Sequence, residues 1–303
     1  MPSQAFQRLL RVLQDEPDPE GPPDVAAERA GWAEYARTYR SRPGVTDEPA
    51  GALHDGSYLL TPEQPRDDAA ILWIHGGVFR AGNAGADRIW VSWLAARTRC
   101  RAVLAEYRKA PESPYPAALE DCLAAFDYAA SLAPKVIVAG LSAGANLAAG
   151  VLLSRPGDTR AAAGVLLSGM LDLRRERFEQ GSWVERAESD PAIRSSAGWD
   201  QYFRTAAPGD PLISPVLGAF GGLPPLFLQV SSAERLLDDS LELAAAAARA
   251  GVHVELEVWP LMTHGWQTEV DEIPEATEAM TRIAAFIGRF LDGRVAGGTT
   301  PSG

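Results

Sequence analysis

The chain has 303 residues, 46% of them hydrophobic and 22% charged, a balance that suits one large α/β domain with a full core and excludes wholesale disorder. Forty acidic residues against 28 Lys and Arg give a formal net charge of −12, which repels nucleic-acid phosphates and anionic lipid surfaces and argues against both as partners. Cys100 and Cys122 are the only cysteines, too few for a disulfide framework, and the first residues lack a secretory apolar core, so a cytoplasmic location is expected.

Along the chain, residues 4–14 read as a short amphipathic helix and Asp15–Asp24, rich in proline and carboxylates, as an extended loop. A second helix is predicted over 25–41, with Trp32, Tyr35 and Tyr39 on one face. Short apolar runs predict strands at Ala70–His75, Ala102–Tyr107, Val136–Leu141, Gly164–Ser168, Leu226–Ser231 and His253–Trp259. Helical segments fall between most of them, at about 86–98, 116–132, 143–154 and 238–250, with a last helix at about 275–292. The uncharged stretch Val136–Ser154 is long enough to cross a bilayer, but Gly140, Ser142, Gly144, Asn146 and Gly150 interrupt it, and a buried strand followed by a buried helix explains it better.

Strands alternating with helices imply right-handed βαβ units, a mostly parallel sheet and helices on both faces. The alternation lapses between Ser168 and Leu226, where Arg174–Arg177 precede Trp183, Trp199, Tyr202 and Phe203. That interval reads as an inserted helical subdomain. The expected organisation is therefore N-terminal cap helices in 1–50, a core in 51–172 and 216–292, a cap insertion in 173–215 and a Gly-rich flexible tail in 293–303.

Gly140-Leu141-Ser142-Ala143-Gly144 follows an apolar strand and opens an alanine-rich helix, the context that a nucleophile elbow requires. Such a turn lifts Ser142 above the strand's carboxyl end, at a helix N-terminus whose partial positive charge favours a developing oxyanion. Upstream, Gly76 and Gly77 end another strand, and their N–H groups together with that of Ala143 would form an oxyanion hole. His75 beside them fits a prop for this loop better than a base. The base is sought late in the chain: His54 sits in an early polar loop and His253 opens a strand, whereas His264 follows the final strand and a turn. The orienting acid belongs in the loop after Leu226–Ser231, where Glu234 is nearest the strand and Asp238 and Asp239 sit where the next helix begins. Glu234 is favoured; Asp238 remains an alternative.

Four segments, HGG at 75–77, YRKAPESPYPAALED at 107–121, GLSAGANLA at 140–148 and EVWPLMTHGWQ at 257–267, give the chain a resemblance to the hormone-sensitive-lipase-like α/β-hydrolases, the bacterial family IV esterases. The resemblance covers roughly residues 55–292. It implies an α/β-hydrolase sheet with a helical cap, a triad of Ser142, Glu234 or an equivalent acid, and His264, oxyanion donors at Gly76, Gly77 and Ala143, and no cofactor. It further implies cleavage of short- to medium-chain carboxylic esters, with a homodimer as an option. Three positions depart from the family pattern: Val78 stands where a third glycine is usual, Leu141 where Asp commonly precedes the nucleophile, and Glu234-Arg235-Leu236 where Asp-Pro-Leu is usual.

Rival chemistries lack their motifs. There is no G-x-x-x-x-G-K-[ST] or G-x-G-x-x-G phosphate cradle, no H-E-x-x-H or paired cysteines for a metal, and no S-x-x-K. Within the same fold, elimination, cyclisation or acyl transfer on a natural product is the alternative to ester hydrolysis, and a non-catalytic small-molecule receptor is a further one. Trp32, Tyr35, Trp183, Trp199, Tyr202 and Phe203 fall in the two segments expected to roof the site and are candidates for an apolar substrate pocket.

Overall fold

The apolar runs assemble into a single eight-stranded sheet in a computed structural model that describes residues 2–15, 24–193 and 196–292. Most of the loop expected at 15–24, and the tail at 293–303, lie outside the described residues. The strands are β1 (Val45–Pro49), β2 (Tyr58–Pro62), β3 (Ala69–Ile74), β4 (Arg101–Ala105), β5 (Lys135–Leu141), β6 (Ala161–Leu167), β7 (Leu226–Ser231) and β8 (Val254–Trp259). Their order across the sheet is β1-β2-β4-β3-β5-β6-β7-β8. β2 runs antiparallel to β1 and β4, and every other pair is parallel. The loops leaving β3, β5, β7 and β8 therefore emerge on one side, where a parallel sheet places its ligand site.

Two strands escape the sequence reading. β1 has the sequence VTDEP and buries only Val45, and its Asp47, Glu48 and Pro49 are residues that blunt a sheet edge. The sheet thus begins ahead of the boundary drawn at residue 51. The central strands are the opposite case: all six residues of β3 are buried, as expected where helices cover both faces. Period-two alternation sorts them, with Leu72, Ile74, Val136 and Val138 in the core under one helical layer and Ile71, Trp73, Ile137 and Ala139 in the core under the other.

The long helices are α1 (Gln4–Asp15), α2 (Val25–Thr38), α3 (Arg88–Thr98), α4 (Ala117–Leu132) and α5 (Ala143–Leu153). The cap insertion contributes α6 (Ser182–Glu185) and α7 (Asp200–Phe203), and the chain closes with α8 (Leu237–Arg249) and α9 (Pro274–Leu291). The insertion is less helical than its aromatic spacing predicts: a 3-10 turn at Arg175–Glu179 and two four-residue helices stand among irregular backbone. Gly181, Pro191, Gly198, Pro208 and Pro211 punctuate it too often for a longer helix. Packing holds it instead, through Trp183, Trp199 and Phe178 edge to face at 5.0–5.4 Å. α1 is anchored by Phe6, buried among Met262, Trp266 and Ile273, and by Ser3, whose hydroxyl donates to Glu275 at 2.8 Å. Among the described residues no helix is long and apolar enough to cross a membrane.

Candidate active site

Three of the loops on the carboxyl side of the sheet, together with the elbow between β5 and α5, converge on one another. At the elbow, Ser142 holds φ 58 and ψ −119, a left-handed backbone that costs a non-glycine residue on the order of 1–3 kcal/mol and marks a functional position. Its N–H donates to Leu167 O at 2.9 Å, and its carbonyl accepts from Ala145, Asn146 and Met170. The flanking glycines are obligatory. A Cβ on Gly140 would lie 2.2 Å from Gly144 O, and one on Gly144 would lie 2.0 Å from Ile74 O.

The loop after β3 abuts this turn: a Cβ on Gly76 would meet the Ser142 Cβ at 3.3 Å. Gly77 has φ 108, and a Cβ there would be driven to 2.4 Å from the Ala81 carbonyl. Val78 and Phe79 continue with φ 55 and 61, so the residue standing where relatives usually carry a third glycine is a β-branched one in a strained region. Outside contacts hold that strain. Phe79 is fully buried and stacks on Tyr202 of α7 with centroids 3.8 Å apart. The buried Arg80 guanidinium donates to both Glu28 carboxylate oxygens (3.0 and 2.9 Å) and to Ala197 O (2.7 Å), while Arg29 Nε donates to Arg80 O at 2.7 Å. The loop is thereby tied to α2 and to the cap at once.

His75 stands under the loop, not in it. It is fully buried, stacked 4.2 Å from Tyr107, and burial, aided by the Lys109 charge, pushes its pKa down to about 3. The imidazole is neutral, and Nδ1, 2.6 Å from Gly76 O, must carry the proton because a carbonyl can only accept.

His264 lies in the loop after β8, with Nδ1 2.8 Å from Glu234 Oε2. Glu234 is fully buried, and its Oε1 accepts from the Ser231 N–H at 2.8 Å and from the Ser168 hydroxyl at 2.9 Å. Burial pushes the Glu234 carboxyl up, opposed by its bond to the imidazole. Burial also works against protonating His264, but the Glu234 hydrogen bond and the charges of Glu234 and Asp190 outweigh it and leave the imidazole pKa above its usual value. The other two carboxylates of this loop are engaged elsewhere. Asp238 Oδ2 accepts from the Ser182 N–H at 2.8 Å. Asp239 accepts from the Leu171 and Asp172 N–H groups (2.8 and 3.0 Å) and pairs with Arg177 at 3.0 Å.

The aromatic candidates divide. Trp183, Trp199 and Tyr202 are buried in the core that includes Ala143, with Phe203 half-buried against it. Tyr35 packs instead against Trp90 of α3, on the opposite face of the sheet, and Trp32 leans on Tyr35 from a largely exposed position. Arg80, Ser168 and Asp190 support the site without having been singled out in the sequence, and no local motif distinguishes them. Among the described residues, no group of three or more His, Cys, Asp or Glu side chains is placed to hold a metal ion.

A serine at a helix N-terminus beside two loop glycines, with a carboxylate-bonded imidazole in the adjoining loop, is an arrangement able to transfer acyl groups. Residues 71–268 match the family of proteins with the alpha/beta hydrolase fold. The chain belongs to the α/β-hydrolases, in their hormone-sensitive-lipase branch. The hydrolase is 34% identical to an acetyl-hydrolase of Streptomyces hygroscopicus over 73% of its own length and 76% of that protein. It is 34% identical to an esterase of Acinetobacter venetianus over 71% and 73% of the two chains. Its structure superposes on EstE5 soaked with p-nitrophenyl butyrate (TM-score 0.86, 28% identity, 96% of this chain and 99% of that one). It also superposes on an esterase from the bacterial hormone-sensitive lipase family (TM-score 0.85, 29% identity, 96% and 99%).

Proposed function

We propose that the hydrolase cleaves carboxylic esters of small or medium apolar substrates through an acyl-enzyme on Ser142. The reading rests above all on the 2.8 Å bond between His264 Nδ1 and Glu234, in the loop neighbouring the strained Ser142 elbow. The names of the relatives, acetyl-hydrolase and esterase, point to the same bond type. With Nδ1–H committed to Glu234, Nε2 is left as the acceptor. Ser142 Oγ attacks the ester carbonyl carbon as its proton passes to His264 Nε2, and the N–H groups of Gly76, Gly77 and Ala143 hold the oxyanion. Collapse breaks the C–O bond, and the departing alkoxide takes the proton from Nε2. Water repeats the sequence on the acyl-enzyme, releasing the acid and restoring Ser142. The cap aromatics Trp183, Trp199, Tyr202 and Phe203 are assigned to the apolar wall facing the substrate, with Trp32 and Tyr35 outside it.

The test is Ser142→Ala. It should remain folded, lose turnover of p-nitrophenyl butyrate by orders of magnitude and lose covalent labelling by a fluorophosphonate seen as a mass increase. Undiminished hydrolysis by this variant refutes the proposal.

A further inference from the structure

Glu234 is not the only carboxylate behind His264. Asp190, from the cap segment that follows α6, is fully buried. Its Oδ2 accepts from the backbone N–H of Arg235, the residue next to Glu234, at 3.0 Å, and its neighbour Ser189 donates from its hydroxyl to Ala233 O at 2.9 Å. The cap thus grips the acid loop on both sides of Glu234. Among the described residues Asp190 Oδ1 has no donor at hydrogen-bonding distance, which leaves that oxygen free to act on its surroundings by charge. Burial pushes the Asp190 carboxyl above its ordinary range; the charge of a protonated His264 and the backbone N–H groups of Arg235 and His264, which face this carboxylate, oppose that rise.

We propose that Asp190 is a positioning residue of the catalytic site, a second buried carboxylate that the cap supplies to His264 beside Glu234. The inference rests on His264 being the base. Two anions on one imidazole stabilise the imidazolium that forms as the serine gives up its proton, and they make that charge depend on the cap being docked. The charged groups acting on His264 are Glu234, from the loop after β7, and Asp190, from the cap; those acting on Asp190 are His264, Arg235 and Glu234. The elbow and α1 bring Leu141 and Phe6 to the His264 loop, both uncharged.

Asp190→Asn isolates the charge, because the asparagine carbonyl keeps the acceptor for the Arg235 N–H. With p-nitrophenyl butyrate as substrate, the acid limb of kcat/KM should move to lower pH by on the order of 1 unit, with KM and Tm near those of the unaltered protein. An acid limb that does not move overturns the proposal and leaves Asp190 a clamp between cap and loop. A profile with no acid limb in the unaltered protein overturns the base reading itself, so the two failures are distinct. Should Asp190→Asn not fold, histidine-selective 15N NMR on the Glu234→Ala protein, which removes the carboxylate without placing a donor against Nδ1, decides. With Asp190 the remaining anion, His264 should still titrate at or above its ordinary value of about 6.5 despite burial, and a value well below that overturns the proposal.

Discussion

Glu234→Gln sets the two candidate acids of the same loop against each other. Glu234 Oε1 receives two donors, the Ser231 N–H and the Ser168 hydroxyl, whereas Oε2 receives one, His264 Nδ1–H. A glutamine can present its carbonyl to only one of these sets. Facing the pair keeps two hydrogen bonds worth about 1 kcal/mol each, so that orientation is preferred and the amide NH2 is turned toward Nδ1. Two donors then meet unless the imidazole moves its proton to Nε2, the tautomer that cannot accept from Ser142. The expected loss is on the order of 10⁴ in kcat, or about 5.5 kcal/mol of transition-state stabilisation. Tm should change little, because the variant removes a buried charge along with the bond. Asp238→Asn is the contrast. Asp238 is partly exposed; its Oδ2 accepts from the Ser182 N–H at 2.8 Å, which an asparagine carbonyl can still do, and lies 3.6 Å from Arg177, a partly solvated pair that asparagine would lose, so stability should fall by about 1 kcal/mol and kcat should hold. Steady-state kinetics and thermal melts on both variants decide the matter. A competent Glu234→Gln beside an inactive Asp238→Asn would refute the assignment.

Because His264 must be neutral to accept the serine proton and its pKa is raised, kcat/KM should fall with decreasing pH along a limb centred above about 6.5; a flat profile between about pH 5 and 8 with chemistry limiting contradicts a histidine base. His75 should shape stability instead. Its native pKa is near 3 against about 6.5 when unfolded, so between these values the unfolded state binds the extra proton and stability declines as pH falls. From pH 6.5 to 4.5 the unaltered protein should therefore lose about 2–3 kcal/mol more than His75→Gln, by urea unfolding, and equal losses would show the buried imidazole is already protonated. Arg80→Gln frees the loop holding Gly76 and Gly77 from Glu28 and Ala197, and should lower kcat about tenfold, a fraction of the cost of losing an oxyanion donor outright, with little change in KM; a change confined to KM would place Arg80 in substrate binding.

What the sequence discloses follows from how local each signal is. β3 and β5–β7 are continuous apolar runs, and their bounds agree with the pattern to within a few residues. β1 has no such run, since a half-exposed edge strand buries one residue and spends the rest on Asp47, Glu48 and Pro49. The elbow is legible because its glycines are forced by clashes two residues either side of Ser142. Choosing between Glu234 and Asp238 needed the fold: both suit the loop, and only its three-dimensional course shows that one side chain turns to His264 and the other to Ser182. Asp190 is further from view. Its place depends on residues 190, 234 and 264 meeting through tertiary structure, and no spacing encodes that.

The tie at Arg80 bears on how this enzyme could be redesigned. Exchanging the cap is a natural route to a new substrate range, because the aromatics of 173–215 can be transplanted as a block. Yet Ala197 in that block holds the guanidinium that also holds Glu28 of α2, and through it the backbone of Gly76 and Gly77. A grafted cap lacking a carbonyl at that point would import a pocket and loosen the machinery beneath it. Residues 28, 80 and 197 form a joint that has to travel together, and chimaeras that preserve it should retain turnover where equally well-folded ones that break it do not.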